Sequence, residues 1–119
     1  MSMAANIVVA LVALIHVYIL VLEMFLWDKP FGRRVFGNSP EFATASKVLA
    51  ANQGLYNGFL AAGLIWGVSM GAAGHAVQLF FLACVIVAGV YGAITVGIKI
   101  LFVQAVPAAL AVAAILWVG

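Results

Sequence analysis

Charge is what this chain has least of. Eight of its 119 residues are Asp, Glu, Lys or Arg, or 7%, against about a quarter in soluble domains. With 68% hydrophobic residues and so thin a polar coat, a water-soluble domain of this length is excluded, because it could not hide its apolar surface. The net charge of +2, with no basic run longer than Arg33-Arg34, excludes a nucleic-acid partner. The single cysteine, Cys84, excludes an internal disulfide and a cysteine-based zinc site, and its setting in "FFLACVIVAG" makes it a small buried hydrophobe. The two histidines, His16 and His75, fall at different depths without a shared acidic companion, so no metal site is expected. There is neither a nucleophile motif nor a phosphate-binding glycine loop, and no cofactor is expected. The opening "MSMAANIVVA" has no basic leader and no clear cleavage site, so it is read as part of a retained first span.

What the chain has instead is length in apolar runs. A helix crossing a bilayer needs about 20 apolar residues, so 119 residues accommodate four. The expected spans are residues 4–27, 40–70, 76–96 and 100–118, forming a single all-α transmembrane domain over 1–119 with the architecture of a four-helix bundle. Trp27 suits an interfacial anchor. The stretch "DKPFGRRVFGNSPEF" reads as a loop, broken by Pro30, Gly32, Gly37 and Pro40. Ser39 is the expected N-cap of the second helix, with Pro40 at its first position and Glu41 near the positive end of its dipole. Pro107 is expected to kink or open the fourth span. Lys29, Arg33, Arg34 and Lys47 lie around the first connection and Lys99 in the third, while the second connection and the termini have no Lys or Arg. The positive-inside rule then puts the first and third connections in the cytoplasm and both termini outside.

Small residues recur at helical spacing. Gly54 and Gly58, Gly63 and Gly67, Gly67 and Gly71, and the series Gly89, Ala93 and Gly97 form stripes that let helix backbones approach in lipid. They fit packing within the bundle and also leave open a homo-oligomer, dimer or trimer.

Polar residues inside such spans need partners, because unsatisfied groups in hydrocarbon are expensive. His16 and Glu23 in "HVYILVLEMFLW" are seven residues apart, hence on one helix face about 10 Å apart along the axis. Depth places "ANQGLYNGF" of the second span beside them, with Asn52/Tyr56 and Gln53/Asn57 forming two adjacent polar ridges, and returns Tyr91 and Gln104 to a similar level. These eight residues are the expected lining of a pocket open to the cytoplasm. On the competing reading they are interhelical glue. Gln78 is expected to cap or snorkel at the outer surface, and His75 to stay at the interface.

Together "HVYILVLEMFLW", "LAANQGLYNGFLAAGL", "AGVYGAITV" and "LFVQAVPA" resemble the bacterial integral membrane family of domain of unknown function 1304, in the same order and over nearly the whole chain. The resemblance implies a small four-helix, multi-pass protein of the bacterial inner membrane, with His16, Glu23, Asn52, Asn57, Tyr91 and Gln104 as its recurrent polar positions. A weaker likeness links the basic loop and "KVLAANQGLYNGFLA" to the membrane-associated eicosanoid and glutathione metabolism family. There, Val48 and Leu55 stand where that family has an arginine and a glutamate, so the likeness implies a similar bundle without implying glutathione use.

Three functions fit these residues. In the first, the pocket binds a small amphipathic or lipid-like ligand, with enzymatic chemistry left open. The second is a proton-coupled small-molecule transporter using Glu23, and the third a structural or assembly subunit without chemistry. The bilayer is the expected partner in all three.

Overall fold

The structure is a computed structural model and describes residues 3–117. It is all-helical, with no strand among the described residues. The elements are α1 (Met3–Phe25), α2 (Pro30–Phe36), α3 (Pro40–Ser69), a 3-10 turn (Gly71–Gly74), α4 (His75–Thr95), a π-helical turn (Leu101–Ala105) and α5 (Val106–Trp117). The end expected for the fourth span, residue 118, lies outside the described residues. Two segments, Met3–Phe25 and Gly71–Thr95, are long and apolar enough to cross a membrane; Leu101–Trp117 is apolar but shorter.

α1 is apolar on all sides, and residue size distinguishes its faces. Ala5, Val9, Val12 and His16 are buried, whereas Ile7, Leu11, Leu14, Tyr18 and Phe25 are exposed. Both sets recur at three- and four-residue steps, so one stripe packs and the other presents large side chains outward.

The chain divides into two compact units, one of Met1–Ile15 with Leu60–Gly119, the other of His16–Phe59. The core of the first unit gathers Val9 and Val12 of α1, Leu64 of α3, Leu82 and Val85 of α4, and Ala108 and Ala111 of α5. Close approaches here depend on glycine. A Cβ at Gly89 would lie 2.7 Å from the Ala105 backbone nitrogen, and one at Gly92 would lie 2.9 Å from Ile100 Cγ2. Gly63 and Gly67 of α3 face Phe81 and Gln78 of α4. A Cβ at Gly97 would meet no atom within 4 Å among the described residues, so no close approach depends on that glycine. It lies in the turn after α4, beyond the stripe begun by Gly89. Ala93 is half-buried.

The fourth span, where Pro107 was expected to introduce a kink or opening, is a wide turn followed by a helix. Pro107 has no N–H, and in an α-helix its ring would clash with the carbonyl four residues back. A π turn ending two residues before it, closed by the Val106 N–H on the Leu101 carbonyl, loosens the ladder at that point.

In the second unit the stretch expected to be a loop contains a two-turn helix, α2. Pro30 at its first turn has its φ preset, and Gly32 is buried against the Leu26 carbonyl, where a side chain would not fit. Gly37 ends α2 in the left-handed conformation (φ 69°) and donates its N–H to the Arg33 carbonyl. Ser39 Oγ then accepts the Phe42 N–H at 3.1 Å and starts α3 at Pro40. Trp27, expected as an interfacial anchor, makes contacts within the chain. Its ring lies 4.8 Å from that of Phe36, and its Nε1 donates to Ser46 Oγ at 3.0 Å. Ser46 in turn donates to the Phe42 carbonyl at 2.6 Å. Lys47 pairs with Asp28 at 3.1 Å, and that ammonium holds the Asp28 carboxyl below its ordinary 3.8.

Candidate functional site

The site in the second unit begins with a glycine. A Cβ at Gly54 would stand 2.5 Å from Met24 Cγ, 3.1 Å from Glu23 Cβ and 3.2 Å from the Leu20 carbonyl oxygen. One at Gly58 would stand 2.7 Å from Leu20 Cδ1. This glycine step therefore packs α3 against α1 of the same chain.

The close approach brings Asn57, one turn beyond Gly54, within reach of the acid. Asn57 Nδ2 donates to Glu23 Oε1 at 2.6 Å and also to the Gln53 carbonyl, one turn back on its own helix, at 3.1 Å. Glu23 is partly buried, and the amide answers its carboxyl directly. His16, two turns earlier on α1, is fully buried.

The other candidates stand elsewhere. Asn52 is exposed and donates to the Val48 carbonyl of its own helix at 3.1 Å. Gln53 is exposed, and so is Tyr56, whose ring lies 6.3 Å from that of Phe59. Depth spreads the four polar residues of α3 over the range from Glu23, near Asn52, to His16, nearer Tyr56 and Asn57, but direction around the helix separates them. Asn52 and Asn57 are five residues apart, hence about 140° apart around the axis, and only Asn57 is on the side of Ala50 and Gly54 that packs. Tyr91 and Gln104 belong to the first unit. Tyr91 is exposed on α4, at the end of an open apolar groove of about 490 Å³ with Phe80, Ala83, Cys84, Val87 and Ala88. Gln104 lies in the π turn, its Cβ 3.0 Å from where a Cβ on Gly89 would be.

Gln78 departs furthest from expectation. It is fully buried rather than snorkelling, seated against Gly67, and neither polar atom of its amide has a hydrogen-bond partner among the described residues. Its position one turn before Leu82, on the buried stripe of α4, was the sequence signal that could have revealed this.

Comparison with known proteins agrees with the sequence motifs. The profile of the family described as protein of unknown function DUF1304 matches residues 10–116. The chain is 34% identical over 106 residues to a protein of Lactococcus lactis subsp. lactis printed as uncharacterized protein YpaA, covering 87% of this chain and 89% of the relative. No solved structure matches.

Proposed function

The chain belongs to the DUF1304 family, and on that premise we propose that it is a four-span protein of the bacterial cytoplasmic membrane that binds a small amphipathic or lipid-like molecule beside Glu23. The large apolar side chains standing outward along α1 support a lipid surround, since water would penalise such a stripe. α1, α3, α4 and the stretch from the π turn through α5 would be the crossings, with the basic connection around α2 in the cytoplasm and both termini outside.

The observation that carries the binding reading is the Glu23–Asn57 pair. Asparagine and glutamine alone would serve as glue, whereas a carboxyl within a span marks a functional site by default. Asn57 fixes one carboxyl oxygen, so the acid is oriented to meet a polar group of a ligand whose apolar part lies among the helices. His16 on the same face of α1 would be a second hydrogen-bonding group.

Glu23→Gln tests the reading. Organic extracts of the purified wild-type protein should contain a bound amphipathic molecule, detected by mass spectrometry, that Glu23→Gln loses while remaining folded. Loss of a proton-driven flux in proteoliposomes, with no change in bound material, would transfer the residue to a transporter. A variant that differs from wild type only in stability would reduce the pair to a structural lock.

A further inference from the structure

Four of the five basic residues lie between Lys29 and Lys47; that stretch holds one acid, Glu41, and Asp28 immediately precedes it. Asp28 is taken up by Lys47. Arg33 and Arg34 have no carboxylate partner among the described residues, Lys29 acts on Asp28 only beyond ion-pair distance, and Arg33 Nε is buried without a hydrogen-bond acceptor. α2 carries both arginines immediately after a helix long and apolar enough to span a bilayer. The Arg34 guanidinium stands 5.9 Å from the centre of the exposed Phe31 ring, and Phe42 at the start of α3 is 55% exposed. Aromatic rings exposed beside unpaired guanidinium groups match the boundary where acyl chains give way to phosphates.

We propose that α2 is a headgroup site, in which Lys29, Arg33 and Arg34 bind the phosphate of an anionic phospholipid while Phe31 and Phe42 rest at the top of its acyl chains. A planar guanidinium presents paired donors that match phosphate oxygens; Arg34 is exposed and Arg33 half-buried, while Arg33 Nε, itself buried, lies out of a headgroup's reach. Both arginines also lie in the last turn of α2, where a cation favours the helix dipole. That role is indifferent to the surrounding lipid, which separates the two. The site rests on the membrane-spanning reading above.

The test uses the full chain in neutral detergent, titrated with phosphatidylglycerol or with phosphatidylcholine of the same acyl chains, and read by the fluorescence of Trp27 in a Trp66→Phe/Trp117→Phe background and by thermal melting. Wild type should bind phosphatidylglycerol at least about tenfold more tightly, a preference that shrinks as salt rises. R33Q/R34Q should abolish the preference, R33K/R34K should keep part of it, and Lys99→Gln should leave it unchanged. Millimolar inorganic phosphate should not displace the lipid. Equal binding of the two lipids, a preference surviving R33Q/R34Q, an equal loss in Lys99→Gln, or displacement by inorganic phosphate would each overturn the site. If R33Q/R34Q does not fold, the wild-type lipid preference and its salt dependence decide. Release of the protein from membranes by alkaline carbonate would sink the spanning reading itself, whereas retention without lipid preference sinks only the headgroup site.

Discussion

Replacing Asn57 with leucine removes an amide from the second unit while keeping the branching and heavy-atom count of the side chain, and the consequences can be worked from the local geometry. Asn57 Nδ2 serves two acceptors, Glu23 Oε1 at 2.6 Å and the Gln53 carbonyl at 3.1 Å. The Gln53 carbonyl lies in the middle of α3, where the helix ladder already satisfies it, so losing the second bond is nearly neutral. The carboxyl has no such reserve. Stranding a buried acceptor costs about 1–3 kcal/mol in general, while hydrogen bonds between membrane helices average about 0.6 and reach about 1.7. Asn57→Leu is therefore expected to lose about 1–2 kcal/mol. Glu23→Gln keeps an acceptor oxygen in place and should lose less. The diagnostic variant is Glu23→Leu/Asn57→Leu, in which neither group is left stranded; it should be more stable than Asn57→Leu alone. Reversible unfolding in mixed micelles, followed by helical circular dichroism, measures these proteins together with Glu23→Leu, which closes the cycle. Additive losses, or an Asn57→Leu variant within about 0.3 kcal/mol of wild type, would refute the coupling.

Three further outcomes follow from the same contacts. Gly54→Val should lose about 1–3 kcal/mol by overpacking α1 against α3, while Gly97→Ala, in open space, should stay within about 0.5, both by the same unfolding assay. Gln78→Leu should raise stability by about 1 kcal/mol, since it removes a buried amide that has no partner; a comparable loss would mean the amide is satisfied. The Asp28 carboxyl is held below its ordinary 3.8 by Lys47, so its stabilising contribution is complete above that value and fades as pH falls through the lower folded one. The melting temperature of wild type should accordingly drop more between pH 5 and pH 2 than that of Asp28→Asn, and the difference should shrink in high salt.

Which parts of the chain could be read in advance depends on whether one residue or two helices decide the outcome. Ser39 and Pro40 announce the start of α3 because a cap is a local event. Glu23 was legible as the residue to watch, since a carboxyl in an apolar run is conspicuous on its own. Its partner was not legible, because depth favours Asn52 for Glu23 and sets Asn57 nearer His16, whereas the rotation of α3, fixed by Gly54 against Leu20 and Met24, chooses Asn57. α2 was hidden by its own punctuation. Pro30, Gly32 and Gly37 usually signal a loop, yet here they serve as first turn, close contact and left-handed cap of one short helix. Gln78 was misjudged because amide chemistry suggests a surface, while the neighbouring Leu82 and the facing Gly67 place it inside.

The widened turn at Leu101–Ala105 amounts to one surplus residue threaded into a helix. Removing one residue there would narrow the turn to α-helical width and leave Ala108, Ala111 and Ile115, the side chains that α5 inserts into the core, at their present angle, but it would restore the ladder that Pro107 cannot join. The surplus and Pro107 are thus a matched pair: a relative that has lost the proline can also dispense with the extra residue, and one that keeps it must keep both.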